Sequence, residues 1–496
     1  MSVNTLYING QWRPASDGGL REIRSPHDNS VVVRVSEATQ SDSLDAISAS
    51  RASFDSGVFS RWSLADRCAL VGRVADLIDR DAEILAQLES GDTAKRLIEA
   101  RYDMADIASC FRHFATTGLA LHDRIVDVGA ANINSVITHE PVGVCALIGP
   151  WNYPLLQISW KVAPALVAGC SFIIKPSELT PSTAIYLMKL MEEAGLPAGV
   201  GNLILGAGAT AGAPLTSDPR VDLVSFTGGL VTGKRIMATA AQTVKKVALE
   251  LGGKNPNIIF ANSNLDAAID NAVTAAFLHS GQVCSAGTRL IVERSVHDQV
   301  VNEIVKRASE IYLGGPNDPL AESGPLISEN HLAKIEEYMD RARQDGAQIL
   351  AGGSRDTRDD LKDGWYYRPT VLGGCTTKMY CVQEESFGPI MTVEVFDTAE
   401  EAIALGNDTI YGLSGAVWCN DSEIASHVAR ALRHGTIWVN DYGPYRPQAE
   451  WGGYKASGVG RELGESGLGE YLEIKHIWTN NEPARSGWFA DRTLEK

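Results

Sequence analysis

Short apolar runs, each closed by glycine or proline, recur along this chain between longer stretches whose apolar residues fall at three- and four-residue steps. From Val142 the alternation is regular. A buried-strand run at 142–148 ends in Gly149-Pro150 and gives way to a helical pattern at 155–168. Strand 171–175 closes on Pro176, and 183–195 reads as a helix stopped by Gly195. Strands at 202–205, 223–226 and 246–250 follow, with a helix at 232–241 before the last. Strands alternating with helices at this spacing predict an α/β fold with a parallel, doubly wound sheet. A second α/β series spans about 255–432, with strands at 256–260, 289–292, 369–372, 391–395 and 415–418. Residues 435–440 then lead into a glycine- and aromatic-rich loop. Upstream, residues to about Val35 read as short strands with a hairpin at 6–12. The pattern from 41 to 122 is helical, with Asp42 and Asp66 as N-cap or first-turn residues. Residues 125–138 return to β-branched alternation, as in a projecting ribbon, and 473–479 forms a last strand.

At 496 residues the chain exceeds one small core, so more than one domain is expected. A net charge of −17 argues against nucleic acid or an anionic membrane as partner and suits a cytoplasmic protein that attracts cations. The eight cysteines are scattered without a C-x-x-C pair, so neither a zinc site nor a disulfide framework is expected. The N-terminus has no basic region followed by an apolar run, and no apolar stretch reaches membrane-spanning length, so neither export nor insertion is expected.

One stretch stands out as chemistry. Cys284 sits in Gly281-Gln-Val-Cys284-Ser-Ala-Gly287, a polar, glycine-bearing turn between a helical pattern at 267–277 and a strand at 289–292. Most free cysteines are small buried hydrophobes; a thiol on such a turn is instead open to close approach and to reaction.

Six motifs occur in a recognisable order: Pro150-Trp151-Asn152-Tyr153-Pro154, Lys175-Pro-Ser-Glu178, Phe226-Thr-Gly-Gly-Leu-Val-Thr-Gly233, Leu249-Glu250-Leu-Gly-Gly-Lys254, Gly281-Gln-Val-Cys284 and Glu384-Glu-Ser-Phe-Gly-Pro389. Together they resemble the NAD(P)-dependent aldehyde dehydrogenase superfamily, over about 7–475. Within it the chain looks most like the bacterial betaine aldehyde dehydrogenases and the related aminoaldehyde dehydrogenases. The resemblance implies a Rossmann-like NAD-binding domain (1–121 and 142–250), a catalytic α/β domain (251–440) and an oligomerisation ribbon (122–141 and 472–496). A substrate-tunnel loop and C-terminal return would occupy 441–471.

Oxidising an aldehyde with a nicotinamide needs a nucleophile, an oxyanion donor, a base for water and a dinucleotide cradle. The resemblance assigns the nucleophile to Cys284 and the general base to Glu250. The amide of Asn152, with the backbone N–H of Cys284, serves the oxyanion, and Glu462 is a candidate proton relay. Lys175 and Glu178 match the pair that holds the adenosine ribose, which favours NAD and leaves NADP admissible. Gly228, Gly229 and Gly233 match the pyrophosphate turn, although many homologues carry Ser at the position of Gly229. Trp151, Leu251, Glu385 and Phe387 complete the coenzyme side. Gly206-Ala-Gly208-Ala-Thr-Ala-Gly212 is expected to be a loop without a phosphate role.

Tyr153, Trp160, Tyr445 and Trp451 match the family's substrate tunnel, and an aromatic cage suits a quaternary ammonium. Tyr153 and Trp160 are expected on one face of one helix. Plant betaine aldehyde dehydrogenases often carry Trp where this chain has Leu278. Glu99, Asp103 and Asp106 match an acidic cluster at the tunnel mouth, with Arg101 and Arg446 near it in sequence and Glu450 as a further carboxylate. The expected substrate is therefore a small cationic aldehyde, betaine aldehyde first, with 4-aminobutanal, 3-aminopropanal, 4-trimethylaminobutanal or a broad aldehyde range as alternatives. A non-catalytic protein of the same fold is the remote alternative. The resemblance also implies a homodimer or homotetramer, and it admits a potassium ion held by backbone oxygens.

Overall fold

The protein is described by a computed structural model covering residues 4–489. Residues 490–496 of the expected ribbon, and residues 1–3, lie outside the described part.

Two large sheets organise the chain. The first runs in the order Gly458–Val459, Lys246–Glu250, Leu223–Thr227, Val144–Ile148, Ser171–Lys175, Gly201–Leu203, Leu6–Ile8 and Gln11–Arg13. Its five central strands are parallel, and antiparallel partners close both edges. Every residue of Val144–Ile148, Ser171–Lys175 and Leu223–Thr227 is buried, as continuous apolar runs covered on both faces require. The second sheet has the order Gln348–Ala351, Thr370–Gly373, Ile390–Phe396, Arg289–Glu293, Pro256–Ile259, Ser414–Trp418 and Thr436–Val439. All its pairs are parallel except the first.

Four helices fill the stretch between the N-terminal strands and the first sheet's core: Gln40–Ser56, Leu64–Arg80, Ala82–Thr93 and Leu97–Leu119. Thr39 and Ser63 cap the first two by accepting from the N–H groups of Asp42 and Asp66, so those acids are first-turn residues. The helix Pro154–Ala168 is buried along its whole length. A three-stranded antiparallel ribbon joins Leu472–Asn480, Ile133–Pro141 and Arg124–Ile125, with nine registered pairs between the two longer strands. The segment expected to be a loop at 206–212 instead contains a π-helical turn, Gly208–Gly212, leading into the helix Ala213–Ser217. Among the described residues no helix is long and apolar enough to cross a membrane.

Strand order locates a binding crevice. From Val144–Ile148 the chain adds Ser171–Lys175 and Gly201–Leu203 on one side, then returns to add Leu223–Thr227 and Lys246–Glu250 on the other. In open parallel sheets, ligands bind beyond the C-terminal ends of the strands at such a reversal. Here those ends lead into Trp151-Asn152 and Gly228-Gly229.

Candidate active site

The C-terminal ends of the first sheet face the N-terminal ends of the second. From the first come Asn152, Lys175, Gly228 and Glu250, each at or just beyond a strand's end. From the second come the segment 251–255, Cys284 and 385–387, each just before a strand. A direct contact crosses the seam, Asn152 Nδ2 donating to the Gln282 carbonyl at 2.8 Å, while on the second side Gly253 N–H donates to Glu385 Oε1 at 2.8 Å.

The cysteine turn is built under strain. Helix Leu265–Phe277, capped by Asn264, is followed after Leu278 by three consecutive left-handed residues: His279 (φ 49°), Ser280 (φ 54°) and Gly281 (φ 68°). Such backbone costs a non-glycine residue about 1–3 kcal/mol and persists only where the surroundings fix it. Four ties do so. His279 Nε2 donates to the Asn152 carbonyl at 3.1 Å, and Ser280 Oγ donates to the Gly324 carbonyl. Gln282 Oε1 accepts from Ile327 N–H at 2.9 Å, and Asn255 Nδ2 donates to the Cys284 carbonyl at 2.9 Å. Only glycine fits at 281, because a Cβ there would lie 2.3 Å from the Gly388 carbonyl oxygen.

Cys284 itself is half-buried. Burial first, then the carboxylates of Glu250 and Glu385, pushes its thiol up to about 12. Glu250 ends its strand, is buried, and has an Oε1 without a hydrogen-bond partner among the described residues. Burial, followed by the charge of Glu462, holds its carboxyl well above the usual range, against the opposing pull of Lys161 and Arg461. Glu462 forms a buried ion pair with Lys161 and also accepts from Ser225 Oγ at 3.3 Å.

The coenzyme-side candidates surround the crevice. Lys175 is buried, donates to the Pro176 carbonyl at 3.0 Å, and lies 3.7 Å from the half-exposed Glu178 carboxylate. Gly229 caps the helix Leu230–Ala240 without a side chain, leaving that helix's first N–H groups free for an anion. A Cβ on Gly228 would lie 2.4 Å from the Phe226 ring, and one on Gly233 would lie 2.5 Å from Leu251, so the cradle depends on both glycines. Glu385 has its carboxyl raised to about 7 by burial. Phe387, in left-handed backbone at φ 53°, packs edge-on against Trp151 at 5.2 Å. The free helix start, the small cradle and the amine–carboxylate pair fit a dinucleotide.

Two substrate-side expectations are corrected. Tyr153 is not on the helix with Trp160; it is the residue before Pro154, where the helix begins. Its ring meets His279 at 5.5 Å, whereas Trp160, Tyr445 and Trp451 form a separate cluster with centroids 5.3–6.2 Å apart. The acidic cluster is not an open mouth either. Lys95 bonds Glu89 at 2.9 Å and Asp103 at 2.7 Å, all buried, and Arg96 pairs with Glu99 at 2.8 Å. Arg101 is engaged by Glu83, and Arg446 donates to the Tyr445 carbonyl. Asp106 alone of the three turns to the aromatic cluster, accepting from the Tyr445 hydroxyl at 2.9 Å. Glu450 faces away from it and accepts from the Ser466 N–H and hydroxyl.

Sequence reasoning passed over Lys95, His279 and His331. The Lys95 ammonium lies 4.3 Å from the centre of the Tyr153 ring. His331 donates from Nε2 to the Phe387 carbonyl at 2.8 Å and packs on Trp151. Neither role has a sequence signal, since each depends on a contact between distant segments.

Comparison with known proteins shows the family. The family described as the aldehyde dehydrogenase family matches residues 12–477. A betaine aldehyde dehydrogenase of Bacillus subtilis is 52% identical over 98% of this chain and 99% of its own. The peroxisomal aminoaldehyde dehydrogenase 2 of Pisum sativum is 41% identical over 98% of this chain and 97% of its own. The crystal structure of a Staphylococcus aureus betaine aldehyde dehydrogenase in complex with NAD+ superposes with a TM-score of 0.97 at 49% identity, covering 98% of this chain and 97% of that one.

Proposed function

The chain belongs to the aldehyde dehydrogenase family, and on that premise we propose that it oxidises betaine aldehyde to glycine betaine with NAD, using Cys284 as nucleophile. The observation that carries this reading is the strained turn, which holds a half-buried thiol against the Asn152 segment with the buried Glu250 in its electrostatic reach.

The Cys284 thiol gives up its proton to water, and the thiolate sulfur adds to the aldehyde carbon as the C=O π pair moves onto oxygen, giving a tetrahedral adduct with negative charge on that oxygen. An asparagine amide has two N–H donors. That of Asn152 uses one on the Gln282 carbonyl and keeps the other for this oxygen, together with the Cys284 N–H. Lys175, Glu178, Gly228, Gly229, Gly233, Trp151, Leu251, Glu385 and Phe387 would hold NAD, which when bound supplies the acceptor for the hydride lost from the adduct. The thioester left on Cys284 is opened by water, whose proton passes to Glu250. Burial raises the carboxyl of Glu250, which makes its carboxylate a stronger base toward that proton. Glu462, paired with Lys161, raises the Glu250 carboxyl through its charge and is the candidate relay.

Trp160, Tyr445 and Trp451 seat the cationic end, with Asp106 drawing electron density into the Tyr445 ring. The same carboxylate favours ω-aminoaldehydes as the second substrate class. We assign the first sheet to coenzyme binding and the second to catalysis. We place the enzyme in the cytoplasm, in keeping with eight cysteines that are all free. Self-assembly would run through the ribbon, where strand Leu472–Asn480 is an edge and exposes Ile474, Ile477 and Trp478.

The test compares betaine aldehyde with 3,3-dimethylbutanal, its neutral isostere, and follows NADH absorbance. The expected result is a higher kcat/KM for the cation and no turnover by Cys284→Ala, which should still bind NAD. Preference for the isostere would overturn the substrate, and an active Cys284→Ala would overturn the mechanism.

A further inference from the structure

Asn152 and the Cys284 turn come from different sheets, so something must fix their relative position. Two hydrogen bonds run between them in opposite senses. Asn152 Nδ2 donates to the Gln282 carbonyl at 2.8 Å, and His279 Nε2 donates to the Asn152 carbonyl at 3.1 Å. A carbonyl only accepts, so His279 carries its proton on Nε2. The imidazole is buried, adopts left-handed backbone that a β-carbon-bearing residue rarely takes, and rests edge-on against Tyr153, the residue next to Asn152. Burial and the nearby Lys95 ammonium hold it far below the usual histidine range, so it stays neutral. This neutral histidine, strained in its backbone five residues before Cys284, is tied by its ring nitrogen to a specific backbone carbonyl as well as by packing.

We propose that His279 is a positioning residue that holds the Asn152 peptide so that the side-chain amide faces the Cys284 sulfur. The bond from Nε2 fixes the carbonyl of Asn152, which sets the plane from which its side chain springs. The return bond to Gln282 then aims the free amide hydrogen. Loss of the imidazole donor releases the peptide and costs oxyanion stabilisation, while the three other ties of the turn, from Ser280, Gln282 and Asn255, keep the thiol in place. The inference rests on the role given above to Asn152.

Glutamine can place an amide nitrogen where the imidazole Nε2 lies, asparagine cannot reach it, and methionine keeps bulk without a donor. His279→Met should lower the rate of the first NADH-forming turnover about 10- to 100-fold, the scale of a small misplacement of reacting groups. KM and the rate of Cys284 alkylation by iodoacetamide should change less than about twofold, and His279→Gln should recover most of the loss. Because His279 acts through Asn152, the double variant His279→Met/Asn152→Ala should be no slower than Asn152→Ala alone. Additive losses in the double variant, equal rates for the Met and Gln variants, or parallel loss of alkylation would overturn the proposal. If the Met variant does not fold, His279→Asn takes its place, slow where His279→Gln is fast. Unchanged turnover in Asn152→Ala would overturn the oxyanion role itself; a slow Asn152→Ala beside a full-speed His279→Met would overturn only the positioning role.

Discussion

Cys284 carries a thiol held up to about 12 by burial and two flanking carboxylates, so at neutral pH the resting protein keeps it protonated. A thiol reacts as its thiolate. Alkylation of the coenzyme-free protein by iodoacetamide should therefore speed up about tenfold per pH unit between pH 7 and 10; a plateau below pH 9 would contradict the raised value. Glu250 titrates in the opposite role. Its carboxyl is raised above the ordinary range, so the basic form, absent at low pH, grows in as pH rises through that raised value. Release of the acid should rise with pH accordingly. Glu250→Gln should flatten that profile and slow release about 100- to 10,000-fold while leaving a single NADH burst, read by stopped flow. Much of this was legible residue by residue, because Cys284, Glu250 and Asn152 stand in motifs. The neutralisation of Asp103 by Lys95 was not. Periodicity says which residues share a helix face, but not which cation the neighbouring turn brings to it.

The turn at 279–281 is the element on which the proposed nucleophile, Cys284, depends. Gly281 combines φ 68° with a Cβ position 2.3 Å from a backbone oxygen, whereas Gly229 has φ −74° and open space around it. Gly281→Ala should lower unfolding stability in urea by more than about 1 kcal/mol and abolish turnover. Gly229→Ala should change stability by less than about 0.5 kcal/mol. Buried strands were readable because they form unbroken apolar runs. The edge strand Gln348–Ala351 was not, since three of its four residues are exposed and leave no such run. Tyr153 was misplaced for a reason present in the sequence: Pro154 favours the first helical position, which puts Tyr153 outside the helix.

At the scale of the molecule, the two sheets and the ribbon are stitched by segments far apart in the chain. The ribbon pairs Leu472–Asn480 with Ile133–Pro141 and leaves Ile474, Ile477 and Trp478 exposed. Trp478→Glu with Ile474→Lys should lower the assembly mass in analytical ultracentrifugation; an unchanged mass would place the subunit contact elsewhere. The two α/β series followed from alternation, whereas Glu450 was misjudged because its partner, Ser466, depends on how the chain folds back after the aromatic loop. That return has a consequence for biogenesis. Gly458 pairs with Glu250, and Ser457 bonds both Leu251 N–H and the Gly252 carbonyl. A nascent polypeptide emerging from the ribosome can therefore complete the second sheet, and every strand of the first but this edge, while the wall beside Glu250 is still untranslated. Full reactivity toward aldehydes should therefore wait until residues 457–459 have been made and have paired beside Glu250.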